Sequence, residues 1–469
     1  MFDLLLKNVR LEDPINNISG IYDIAIENKK IADIEKEISP SKALQVLYFR
    51  EELAIPGIID LHVHLCGNFG NKSGFAMLAR SGVCTALNMA GPTSDLLANM
   101  HQARGLNIAT LEDATPGLNL ASNNPSYEDA KNFVSNAMDH GAIGIKILGG
   151  HYPLTPEGSE HIIRAARDKS GYAAWHAGTT AHGSNIEGMR EVCELVGDQF
   201  VHLAHINSYC RGQIRHELEE VMEAQELLES HPSIISESYI AASNGTSFLI
   251  NESGQLASKN TGVTLNMLGY ENSAAGIGQA ILDGIAFVFV QYGEETVRIT
   301  GQEAHRLWVE SGTNIGGGFD VNPPMSRIAL AVSRRKNGTF SVDCLATDGG
   351  SIPRNVLVSQ GLALVAGGVI SLKDYIQKTS WNPSRCLNLK NKGHLGIGAD
   401  ADISILDFHH QRAFSTIVGG QVCMMDGYVC GNGGTLITTE QGRKNVESFN
   451  IPYQCIDLSN GHLPFGSSR

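Results

Sequence analysis

From residue 56 to residue 390, short apolar runs alternate with helical stretches, and this constrains the fold more than any other property of the 469-residue chain. Such alternation is the signature of a parallel sheet covered by helices. Candidate strands end near His64, Met89, Ala109, Leu148, His176, His205, Ser238 and Asp348, and eight strands are what a closed barrel requires. The first seven follow one another at roughly 20 to 40 residues, room for one strand and one helix each. The last interval is far longer. Residues 244–320 within it are rich in Gly, Asn and Ser, so extra elements or a lid over the barrel mouth are expected there. Gly316-Gly317-Gly318 lacks the Lys-Ser/Thr of a phosphate loop and reads as a hinge.

The two ends, 1–55 and 391–469, have a different pattern. Short strands are expected at 3–9, 20–26 and 30–34, and again at 401–407, 414–418 and 421–425, where Met425-Asp426-Gly427-Tyr428 suits a two-residue hairpin turn. The predicted fold is therefore α/β: a (β/α)8 TIM barrel over 56–390, with a small β-sandwich built from both ends.

Composition removes several function classes. A formal net charge of −14 argues against nucleic-acid binding. Met1-Phe2-Asp3-Leu4-Leu5-Leu6-Lys7-Asn8 is not a secretion signal, and no apolar run is long enough to span a membrane, so a cytoplasmic location is expected. The nine cysteines include no C-x-x-C pair, which fits reduced thiols better than disulfides or a structural zinc site.

In a barrel the working residues sit at the carboxyl ends of the strands. His62 and His64, two apart in Ile58-Ile59-Asp60-Leu61-His62-Val63-His64, project from the same side of a strand and can grip one metal ion. The competing reading is a pair of satisfied core histidines. Lys146 lies inside the apolar run Gly144-Ile145-Lys146-Ile147-Leu148; taken alone, it reads as a stem in the sheet with its head reaching the rim. His176 ends the fifth strand and Asp348 the eighth. His202 and His205 face opposite sides of the sixth; His205 is nearer its carboxyl end, and His202 reads as structural.

In this order, His62-x-His64, Lys146, His176, His205 and Thr347-Asp348 resemble the binuclear branch of the amidohydrolase superfamily, in particular the cyclic amidohydrolases (hydantoinase, dihydroorotase, allantoinase). Asn322-Pro323-Pro324-Met325, Ile235-Ser236-Glu237-Ser238 and Asn382-Pro383-Ser384-Arg385 are similar to further segments of that group. The resemblance implies two divalent metal ions, for which nitrogen and oxygen ligands suit zinc. The first would be held by His62, His64 and Asp348, and the second by His176 and His205. Lys146 would bridge them as a carbamate formed with carbon dioxide; a lysine desolvated in an apolar strand is partly neutral, as that reaction requires. A hydroxide shared by the ions would attack a carbonyl carbon, with Asp348 carrying its proton to the leaving nitrogen.

Substrate-binding roles are expected for Tyr152, supporting the oxyanion, for Asn322, and for Arg354, pairing a carboxylate. The activity implied is hydrolysis of a cyclic amide or N-acyl amino acid. A ring-amidine deaminase and a non-catalytic scaffold are the alternatives. The expected partner is a small-molecule substrate, and a homo-oligomer is expected, with the long insertion available for its interface.

Overall fold

The apolar runs lie side by side in parallel. The computed structural model describes residues 1–67, 70, 72–89 and 91–459. Seven strands follow in order around the barrel: β1 (Ile58–His64), β2 (Val83–Asn88), β3 (Asn107–Ala114), β4 (Gly144–Leu148), β5 (Tyr172–His176), β6 (Val201–Leu203) and β7 (Ile234–Tyr239). β3 runs to Ala114 rather than ending near Ala109, because Leu111–Ala114 is the stretch that pairs with β4.

The eighth strand, β8, closes the ring in two pieces. Cys344–Ala346 pairs parallel with β7, and Gly349–Gly350 pairs parallel with β1, where Gly350 stands opposite His64. Between the pieces Asp348 has a left-handed φ of 51°, which turns the chain from one neighbour to the other. Buried Asp60 of β1 ties the break: its carboxylate accepts from Thr347 N at 3.1 Å and Thr347 Oγ1 at 2.6 Å.

Helices cover the outside of the sheet. The helix Pro156–Asp168 starts on Thr155, whose hydroxyl accepts from Gly158 N at 3.0 Å, and turns Ile162, Ile163, Ala165 and Ala166 inward. Each fully buried isoleucine stabilises the fold by about 1.5–3 kcal/mol.

Both chain ends contribute to one nine-stranded sheet, in which Leu53–Pro56 lies between Phe2–Asp13 and Ile403–Asp407. Its core joins Leu6, Val9 and Ile24 to Ile403, Ile405 and Ile417. Asp426 and Gly427, at φ 46° and 86°, make the tight hairpin between Gln421–Met425 and Tyr428–Val429. The chain then leaves this sheet: Thr435–Thr438 pairs with the first residues of β3 and is itself paired by Tyr453–Cys455.

Residues 244–320 build a four-stranded sheet with the helices Lys259–Met267, Ala274–Leu282 and Gly301–Glu310 around a core containing Phe248, Ile277, Trp308 and Phe319. The three glycines there are not a hinge. Gly316–Phe319 is a strand, and a Cβ on Gly317 would lie 2.2 Å from the Phe248 ring, so glycine admits that ring against the backbone. The strands Ala286–Tyr292 and Glu295–Ile299 form a hairpin whose tip docks on the barrel, where Glu294 accepts from Arg80 at 2.8 Å and pairs with Arg104. All nine cysteines are free thiols. Among the described residues no helix is long and apolar enough to cross a membrane.

Candidate active site

The carboxyl ends of β1, β4, β5, β6 and β8 bring together the residues expected from the sequence. His64 Nε2 lies 2.8 Å from Asp348 Oδ1, and His62 Nε2 lies 3.3 Å from the same oxygen and 2.9 Å from Lys146 Nζ. Ligand-type atoms of His62, His205 and Asp348 all fall within 4.8 Å of one another. The His176 ring meets His205 edge-on at 4.4 Å, but its Nε2 is turned to Ser184 Oγ at 2.8 Å. His205 thus sits nearer to His62 and Asp348 than the expected division into two ligand sets suggests. The loop after β4 runs hard against His176, where a Cβ on Gly150 would lie 2.3 Å from Nε2.

Two of these residues stand in strained backbone. His205, at φ 37°, and Asp348, at φ 51°, are left-handed without being glycine, a conformation that persists where the surroundings hold it. His202 is buried with Nδ1 2.8 Å from the Tyr172 hydroxyl, and His182 is exposed.

Glu237 of β7 carries no role in the sequence reading, yet it organises the cluster. Its Oε1 accepts from His205 N at 2.6 Å and lies 2.7 Å from His62 Nδ1. An oxygen that accepts from an amide can also accept from Nδ1–H, which leaves the His62 Nε2 lone pair facing the site. The signal was there: an acidic residue inside the buried run Ile234–Tyr239.

Burial dominates the electrostatics. It lowers the pKa of Lys146, and it lowers those of His62, His176 and His205 well below the ordinary histidine value, so these imidazoles are neutral at pH 7. Burial also opposes ionisation of Asp348, but Arg354, His62 and His64 outweigh it and hold that carboxyl well below its usual range. No carboxylate among the described residues lies within 4 Å of Lys146. His205 Nδ1 is buried without a hydrogen-bond partner among the described residues. Neutral imidazoles and an ionised carboxylate are a donor set that suits divalent cations.

Above the cluster opens a cavity of about 550 Å³ lined by the ends of β1 to β8 and by Asn244, Ser247 and Asn260 of the insertion. Tyr152, 41% exposed, stands on its wall. Arg354 is 2% exposed and turned onto Asp348: its Nη2 pairs with Oδ2 and its Nε donates to the backbone oxygen, while Nη1 donates to Ser243 O at 3.0 Å. Asn322 is also buried, and its Oδ1 accepts from Arg211 Nε at 2.8 Å. Arg211, which no sequence pattern singles out, also lines the cavity.

Imidazoles, a lysine and a carboxylate converging at the carboxyl rim of a (β/α)8 barrel are the layout of a barrel hydrolase. The chain belongs to the Amidohydrolase family, whose model matches residues 53–427, and is thereby a hydrolase of carbon–nitrogen bonds. It is similar to the dihydroorotase of Elusimicrobium minutum (strain Pei191), 23% identical over 444 residues that cover 88% of this chain and 89% of that protein. Two solved structures share the fold. The N-acyl-D-glutamate deacylase from Bordetella bronchiseptica, crystallised with zinc and a phosphonate inhibitor, has a TM-score of 0.66 at 12% identity, covering 92% of this chain and 98% of that one. The L-hydantoinase (dihydropyrimidinase) from Arthrobacter aurescens has a TM-score of 0.57 at 16% identity, covering 93% and 99%.

Proposed function

We propose that this chain hydrolyses the amide bond of a small cyclic amide or N-acyl amino acid with two divalent metal ions, zinc being the best match to its ligands. The observation that carries this reading is the convergence of neutral His62, His64, His176 and His205 on ionised Asp348 and buried Lys146. His62, His64 and Asp348 would hold one ion, His176 and His205 the other, and Lys146 would serve both as a carbamate. Bound there, the ions would acidify a water and polarise the scissile carbonyl.

The protein's own groups do the rest. Asp348, ionised beside Arg354, His62 and His64, takes the proton of the attacking water and passes it to the leaving nitrogen. Arg354 fixes Asp348 from behind, and Glu237 orients His62. Tyr152 supports the carbonyl oxygen from the cavity wall. The nine free thiols agree with a cytoplasmic setting.

The test is chelation followed by zinc titration, with hydantoins, dihydropyrimidines and N-acyl amino acids of both hands as substrates. Hydrolysis that appears at about two metals per chain is expected. Full activity in the metal-free protein would refute the reading, and ammonia release from a ring amidine at one metal would favour the deaminase alternative. A second expectation concerns Glu237→Gln. It should lower metal retention and turnover by roughly 10- to 100-fold, as loss of a histidine-orienting carboxylate does, while melting stays cooperative. Unaltered metal content and rate would mean that Glu237 does not orient His62.

A further inference from the structure

The cavity has two arginines, and only one is open to a ligand. Arg354 is consumed by Asp348 and Ser243. Arg211, half-buried on the loop after β6, has no carboxylate within 4 Å among the described residues. Three neutral oxygens hold it instead: Nε donates to Asn322 Oδ1 at 2.8 Å, and Nη2 donates to Ser208 Oγ at 3.2 Å and to Tyr239 Oη at 3.1 Å. Asn322 is fixed in turn by donating to Ala241 O at 3.2 Å. These contacts aim the guanidinium without neutralising it, and Nη1 has no hydrogen-bond partner among the described residues. A partly desolvated cation fixed in one orientation is costly to keep unless an anion completes it.

The rest of the lining sets the direction. Asp95, Glu112 and Asp113 line the cavity from the side of β2 and β3. Asp95 and Glu112 have donors in Gly67 N, Thr93 N and Thr93 Oγ1 and supply the negative charge of that wall, whereas burial pushes the Asp113 carboxyl up to about 7. An anionic substituent is repelled from that wall and attracted to Arg211. Tyr239 links the two regions: its hydroxyl meets Arg211, and its ring lies 4.8 Å from the Arg354 guanidinium that holds Asp348. An anion at Arg211 is therefore about one tyrosine length from the reacting centre, close enough to share a small molecule with it.

We infer that Arg211 selects substrates bearing a carboxylate near the scissile amide, and that Asn322, Ser208 and Tyr239 position it for that contact. This deepens the proposed hydrolase function and rests on it. The experiment compares N-acyl amino acids with the matching N-acyl amino acid carboxamides, using the metal-replete full-length protein and its Arg211→Met and Arg211→Lys variants. For the carboxylates, Arg211→Met should raise KM by roughly 10- to 100-fold with kcat little changed, the size expected for losing a charge-assisted pair. Arg211→Lys should recover part of the loss, and the carboxamides should respond to neither change. Equal use of both members of each pair by the unaltered protein, or an equal loss on both in Arg211→Met, would overturn the inference.

Calorimetric titration with N-acetylglycine and N-acetylglycinamide separates this result from the hydrolase reading. Carboxylate-selective binding that Arg211→Met abolishes, without hydrolysis of any amide, would sustain the anchor and sink the hydrolase. Hydrolysis without selective binding would do the reverse.

Discussion

Asp348→Asn is expected to lower kcat by roughly 10²- to 10⁴-fold, the range of a lost general acid–base, while most of the metal stays bound. The amide keeps an oxygen that can face His62 and His64, but it cannot accept and pass on a proton. Asp348 also neutralises Arg354, which is buried beside it. Leaving that guanidinium unpaired costs several kcal/mol, so melting must be followed beside turnover and metal content. A variant that still melts cooperatively, holds metal and turns over at the original rate would refute the proton-transfer role. The double variant Asp348→Asn, Arg354→Met removes the stranded charge. It should regain stability without regaining activity.

The second large effect is expected at Lys146. Lys146→Ala should lose metal and turnover together, each by at least about a hundredfold, because the variant lacks the one side chain proposed to serve both ions. Lys146 is 1% exposed and has no carboxylate partner among the described residues, so its charged form is poorly tolerated where it stands. Removal of the ammonium should leave the fold intact. The vacated space can take a small acid, and acetate or propionate should restore part of the activity by supplying the missing oxygens. Full activity in Lys146→Ala without added acid would eliminate the carbamate.

The barrel was legible because its strands are apolar runs with strand-length spacing, and His62-x-His64 was legible because alternation fixes which side chains share a face. Met425-Asp426-Gly427-Tyr428 was legible for a similar reason: Asp-Gly tolerates the left-handed backbone of a tight hairpin. What escaped the sequence depends on which groups meet in space. Nothing in residue type says that Arg354 would meet Asp348 while Arg211 is held by neutral oxygens, so the proposal of Arg211 as the carboxylate anchor comes from the geometry and not from the sequence. The left-handed turns at His205 and Asp348 escaped too, since neither residue advertises such a backbone. Gly316-Gly317-Gly318 was misread because a glycine required for flexibility and one required by a neighbouring ring look alike in sequence.

The break in β8 ties the order of synthesis to the acquisition of activity. The segment that bonds β7 to β1 carries Asp348 at its bend, about three-quarters of the way along the chain, so a ribosome-bound chain ending before residue 344 lacks both the closing strand and the group proposed as its acid–base. The proposed proton carrier therefore arrives in the same segment that seals the barrel.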